Sequence, residues 1–135
     1  MTDVQDPVRI DAKTGKLLLE AADIATLAGG LCLGLIQLPM FGREGSTRYC
    51  AVGAIAKASG FTDDEMYREP AEAYDLPAVD TFGRWLRQAN VPIVEYADDS
   101  QSAVYVTNDV LVSDGRGAEM IEYMRQAGAS AFDEE

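Results

Sequence analysis

The amino-acid sequence predicts an α+β fold that is mostly helical, with about five helices packed around a small antiparallel β-hairpin. Three observations point there. Apolar residues recur at helical spacing in four stretches, over residues 17–28, 51–58, 79–89 and 116–127. Between residues 91 and 112 the pattern changes to short β-branched runs. Gly or Pro stands at most of the junctions. With 135 residues and 47% hydrophobic content, the chain suits one domain. That domain is read as residues 14–128, with a polar leader over 1–13 and a frayed acidic tail over 129–135.

The elements follow in order. Thr14-Gly15-Lys16 opens the first helix. Leu17, Leu18, Ala21, Ala22, Ile24, Ala25 and Ala28 form its apolar stripe, Glu20 and Asp23 lie opposite, and Gly29-Gly30 ends it. The apolar run from Leu31 to Leu38 fits a helical turn leading into Pro39, and residues 41–47 read as a loop. A second helix is expected from about Arg48 to Ser59, ended by Gly60. Its face of Ala51, Ala54, Ile55 and Ala58 is small enough for a neighbouring helix to come close. Thr62 and Glu65 have the spacing of a capping box, opening a short helix that Pro70 interrupts.

Val79 to Ala89 reads as a helix with Phe82, Trp85 and Leu86 on one stripe and Arg84, Arg87 and Gln88 on the other. Val91, Ile93 and Val94 then predict one strand and Val104-Tyr105-Val106 a second, with a turn over residues 97–102. Val110-Leu111-Val112 extends that sheet. Asp114 is placed as the cap of a last helix, Arg116 to Ala127, with Met120, Ile121 and Met124 as its core stripe and Gly128 closing it.

Charge divides the chain. The net charge is −12, yet residues 1–60 carry six acids and six bases and are neutral. Residues 61–135 carry seventeen acids against five arginines, with no lysine after Lys57. A field of that sign repels phosphate backbones and attracts basic partners, so direct nucleic-acid binding is not expected. No apolar stretch approaches the ~18–20 residues of a membrane span. The opening residues are acidic and lack the apolar stretch of a signal peptide. Cys32 and Cys50 read as reduced thiols. The expected compartment is the cytoplasm.

Histidine is absent. Ser-His-Asp and Cys-His catalysis and mixed Cys/His zinc sites go with it. The remaining candidate chemistry is local. Cys50 stands early in a helix, two residues after Arg48, where a thiolate is favoured; without a histidine as base it reads first as a small buried core residue. Gly42, Gly45, Ser46 and Thr47 precede that helix and have the composition of an anion nest, although no P-loop lysine accompanies them and Ser46 or Thr47 would serve as a cap. The pairs Asp63-Asp64 and Asp98-Asp99 suit a helix start and a turn. They do not match the spacing of a calcium loop. Tyr67 and Tyr74, with Trp85, Tyr96, Tyr105 and Tyr123, read first as core residues with a polar tip, and beside that as aromatic anchors of the kind interfaces use. No cofactor and no metal is expected.

The run Tyr49-Cys50-Ala51-Val52-Gly53-Ala54-Ile55-Ala56-Lys57-Ala58-Ser59-Gly60 resembles the Cys-Ala-x-Gly-Ala-[Ile/Leu] signature of a family of small actinobacterial and actinophage proteins. The order of features matches over about residues 15–128: a leading helix, a glycine-containing linker, the Cys-Ala helix, an Asn-Asp pair (Asn108-Asp109) and a last amphipathic helix. The chain departs from the pattern at Leu35-Ile36-Gln37, where that family has a Trp and a Gln-Gly, and at Thr107, where a Trp often stands. The resemblance implies no activity. It implies an accessory protein of a phage or mobile element.

These features predict a non-enzymatic protein that binds another protein with a basic surface through its acidic, aromatic part. Two alternatives stand beside it: an acidic mimic of nucleic acid that inhibits a DNA-binding protein, and a small enzyme using Cys50 or carboxylates.

Overall fold

The computed structural model describes residues 9–27, 30–31, 37–39, 47–89, 91 and 99–131. Seven helices account for most of them: α1 (Ala12–Leu27), α2 (Ala51–Ala58), α3 (Asp63–Arg68), α4 (Pro70–Tyr74), α5 (Pro77–Gln88), α6 (Ser100–Ser113) and α7 (Gly117–Ala129).

The predicted hairpin is the main correction. Val104-Tyr105-Val106 and Val110-Leu111-Val112 both lie inside α6, so the helices do not surround a β-hairpin at that place. Ile93 and Val94 lie outside the described residues. The extended pairing among the described residues is elsewhere: Gln37–Pro39 runs antiparallel to Thr47–Tyr49 over three residues each, and Leu31 bridges to Tyr49. The α6 segment misleads because valine and threonine are poor helix formers, by a few tenths of a kcal/mol each. Its buried positions nevertheless fall at Ala103, Val104, Thr107, Asn108 and Leu111, which is helical spacing. Two of those five are polar, and they break the apolar stripe into two short runs. Asp99 caps the helix, its carboxylate accepting from Ser102 N at 2.7 Å.

Boundaries shift elsewhere for equally local reasons. Helix α1 begins at Ala12, before Thr14, because Asp11 Oδ1 accepts from Thr14 N at 2.7 Å. The hydrogen bond from the Thr14 backbone holds the Asp11 carboxyl below its ordinary pKa. Ile10 is part of the core. Asp114 ends α6 and does not open α7. Gly115 takes φ +74°, Gly115 N donates to Val112 O at 3.0 Å, and Arg116 N donates to Leu111 O at 2.7 Å. Those two bonds are the Schellman closure that turns the chain out of a helix. Gly60 closes α2 in the same way, with φ +106°, as the sequence predicts. The capping box at Thr62 and Glu65 forms with both hydrogen bonds, at 3.1 and 2.9 Å.

Helix α2 is the centre. Ala51, Val52, Gly53, Ala54, Ile55 and Ala56 are all buried, so it is surrounded on every side. Helices α1, α4 and α6 are among those packed on it. Helix α7 packs along α1 and α5 along α6. Both crossings depend on glycine. A Cβ on Gly83 would stand 1.8 Å from Ser100 O, and one on Gly128 would stand 2.8 Å from Gly15 O. Gly128 therefore sits within α7 as a contact with α1 and does not terminate the helix.

Candidate functional site

The small-residue helix and the acidic half supply the two places where chemistry was expected. The first is the N-terminus of α2. Cys50 is its N-cap, in extended conformation, with Sγ accepting from Gly53 N at 3.4 Å. The thiol is 3% exposed and belongs to the hydrophobic core. Cys50, and not the predicted Thr47, is the cap: α2 starts at Ala51, and Thr47 lies in the short extended pair. Gly42, Gly45 and Ser46 lie outside the described residues.

The same helix start is held from across the chain. Asn108 of α6 is fully buried, and its Oδ1 accepts from Ala51 N at 3.0 Å. Its Nδ2 donates to Asp109 Oδ1 at 3.1 Å. One amide side chain thus satisfies a donor that helix geometry leaves open and ties α6 to α2. The resemblance singles out Asn108 only as half of an Asn-Asp pair; its bond spans 57 positions and has no local signature. Thr107, beside it, is fully buried too, and its hydroxyl has no hydrogen-bond partner among the described residues.

The second place is a surface. Tyr74 at the end of α4 meets Tyr105 of α6 edge-on, with ring centroids 5.8 Å apart and planes at 88°. The Tyr105 hydroxyl shares a 3.2 Å hydrogen bond with Ser102 one turn earlier. Tyr105 and Val110 remain 39% and 38% exposed. Asp109, one turn beyond Tyr105, lines a shallow hollow with Val110, Ser113 and Asp114. On the α4 side, Glu69 and Glu72 share a hydrogen bond that raises the pKa of Glu72, with charge repulsion from Glu69, Glu65 and Asp75 adding to it. The ring contact therefore joins the carboxylates around α4 to those of α6.

The remaining predicted residues have structural occupations or lie outside view. Asp64 pairs with Arg68 at 3.1 Å, and Asp99 caps α6. The side chains of Asp63 and Tyr67, and residues 96 and 98, lie outside the described residues. Trp85 and Tyr123 pack with the core, Trp85 stacking on Phe82 at 6.2 Å and meeting Tyr123 at 6.4 Å.

Arginines of the acidic half form surface ion pairs with acids, one of them on α1. Arg84 pairs with Asp80 at 3.2 Å, Arg116 with Glu119, and Arg125 with Asp23 of α1 at 2.9 Å. No basic residue occurs between Arg68 and Arg84, or between Arg87 and Arg116. Those two base-free stretches contain α4 and α6, the helices that Tyr74 and Tyr105 bring together.

No family model, curated protein or solved structure matches the chain. Among the described residues, no helix is long and apolar enough to cross a membrane.

Proposed function

We infer that the protein is a non-enzymatic accessory protein that docks on a basic surface of another protein, working in the cytoplasm of an actinobacterial cell or of one infected by a phage. One observation carries the docking: the base-free stretches that contain α4 and α6 meet through Tyr74 and Tyr105, the latter 39% exposed. Negative potential and an aromatic anchor then coincide on one face. Carboxylates speed encounter and select a basic partner, while aromatic rings supply the area that holds it. The setting rests on the resemblance of residues 49–60 to the actinobacterial and actinophage family. The buried state of Cys50 supports a packing role for the Cys-Ala helix, with the charged face carried separately.

A capture experiment from actinobacterial lysate tests this, run with the wild type and a Glu72→Gln/Asp75→Asn/Asp109→Asn/Asp114→Asn variant. The expected result is a partner retained at low salt, released at raised salt and lost from the variant. Equal capture by the two proteins would count against the docking face.

A further inference from the structure

We propose that Asp114–Gly115 is a latent site of spontaneous backbone modification, the isomerisation of aspartate to isoaspartate, held shut by the hydrogen bonds that join α6 to α7. The site is independent of the docking face and needs no partner. Its chemistry begins in the sequence. An aspartyl carboxyl closes most readily on the backbone nitrogen of a following residue that has no side chain in the way. Asp precedes Gly once in this chain, at Asp114–Gly115, and every other aspartate precedes a larger residue. Both residues of the pair are exposed, and Asp114 lines the shallow hollow beside Val110 and Ser113, so water reaches it.

Water is the only co-reactant. Gly115 N attacks Asp114 Cγ, a C–N bond forms, and the carboxyl hydroxyl leaves with the amide proton as water. The five-membered imide then takes up one water at either carbonyl. Opening at Cγ restores aspartate. Opening at the backbone carbonyl routes the main chain through Cβ and Cγ and lengthens it by one carbon. Nothing is oxidised or reduced, and the composition is unchanged.

The fold opposes the first step twice. Ring closure needs Cβ of Asp114 nearly eclipsed with Gly115 N about the Cα–C bond. At ψ 1° the atom that eclipses Gly115 N is instead the backbone N of Asp114, a third of a turn from Cβ. Gly115 N also donates to Val112 O at 3.0 Å, and Arg116 N donates to Leu111 O at 2.7 Å, so rotation at Asp114 breaks the closure of α6. The closure demands glycine, because φ is +74° at residue 115. The same glycine makes the aspartate before it reactive, and the two hydrogen bonds contain that reactivity. Isomerisation therefore waits for local opening of the α6 end, which takes less free energy than global unfolding. Once formed, the longer backbone cannot restore both bonds, and the joint to α7 is lost.

The test incubates the full-length chain at physiological temperature and pH, folded in buffer and unfolded in guanidinium chloride. Protein isoaspartyl methyltransferase counts the isoaspartate formed, and electron-transfer fragmentation of peptides places it. The unfolded chain is expected to form isoaspartate at residue 114 faster than at any other aspartate. The folded chain is expected to form it there at least about tenfold more slowly. Asp114→Glu, whose side chain is too long for the five-membered ring, should remove the signal in both. Hydrogen exchange of the Gly115 and Arg116 amides should be slowed together in the folded chain. The isoaspartate fraction, separated by ion exchange, should melt below the fresh protein. Isoaspartate centred on another residue, or a signal that survives Asp114→Glu, overturns the site. Equal rates in the folded and unfolded chain, or unprotected Gly115 and Arg116 amides, overturn its control by the closure. An isoaspartate fraction that melts like fresh protein overturns the loss of the joint.

Discussion

The α1–α7 and α5–α6 crossings and the α4–α6 face are built on opposite principles. In the crossings, glycines bring backbones so close that no side chain fits: Gly15 against Gly128 and Ala131, Gly83 against Ser100. On the face, two tyrosines meet edge to face and leave Tyr105 partly exposed, on two helices that themselves hold no base. Close packing makes the first region intolerant of one added methyl group. The second region should tolerate change in stability and register it in binding. The comparison teaches that scaffold and charged surface are separable, even though both use α6.

The largest expected effect breaks the scaffold. Gly83→Ala places a Cβ 1.8 Å from a backbone oxygen, which cannot yield without moving α5 or α6. A loss of about 3 kcal/mol is expected, read as a fall of roughly 10 °C in thermal midpoint. Helix propensity alone would predict a gain from the same change, so even the sign is informative.

Next come two neighbours whose effects should differ in sign. Asn108→Ala leaves Ala51 N without its acceptor and should cost about 2 kcal/mol in urea unfolding. Thr107→Val removes a buried hydroxyl that has no partner among the described residues, and should be neutral or stabilising by up to about 1 kcal/mol. If both changes destabilise alike, α6 is held by shape and the Asn108 bond is incidental.

These two residues also show where the sequence stops being legible. Caps and closures that lie within four residues of one another were readable: Thr62 with Glu65, Gly60 after Ala58, and the Phe82-Trp85-Leu86 stripe. Helix α6 was not, because Thr107 and Asn108 interrupt its apolar face and valines suggest a strand. Asn108 answers a donor in α2, and that demand is set by tertiary contact. Gly128 looks like punctuation in the sequence for the same reason; its contact is Gly15, more than a hundred positions away. For the candidate site, composition exposed the acidic half and its tyrosines. It did not expose which tyrosines meet. Tyr105 sat in a presumed strand, and only helical geometry sets it one turn from Asp109 and against Tyr74.

A smaller effect belongs to the cap of α3. Thr62→Ala removes the acceptor of Glu65 N and should lower stability by about 1 kcal/mol at neutral pH. The Glu65 carboxyl is held below its ordinary pKa by the hydrogen bond from Thr62 N. Its contribution is therefore present above the unfolded-state pKa and is lost as pH falls through the folded one. Glu72 has the reverse sign. Its raised pKa means that ionisation opposes folding above that range and that the opposition lifts as pH falls. Glu72→Gln should raise the thermal midpoint slightly at pH 7 and leave it unchanged in acid. This is the smallest shift, since the group is on the surface, and it would show the α4 acids being kept at some expense of stability.

The central claim is that the binding face is the one assembled by Tyr74 and Tyr105. Amide chemical-shift mapping of the ¹⁵N-labelled chain during titration with a synthetic Lys/Arg-rich peptide at low salt tests it most directly. The expected perturbations gather on Tyr74, Asp75, Tyr105, Asp109, Val110 and Asp114, and α1 and α7 stay unmoved. Shifts centred on α1 or α7, or spread evenly over the acidic half, would contradict the claim.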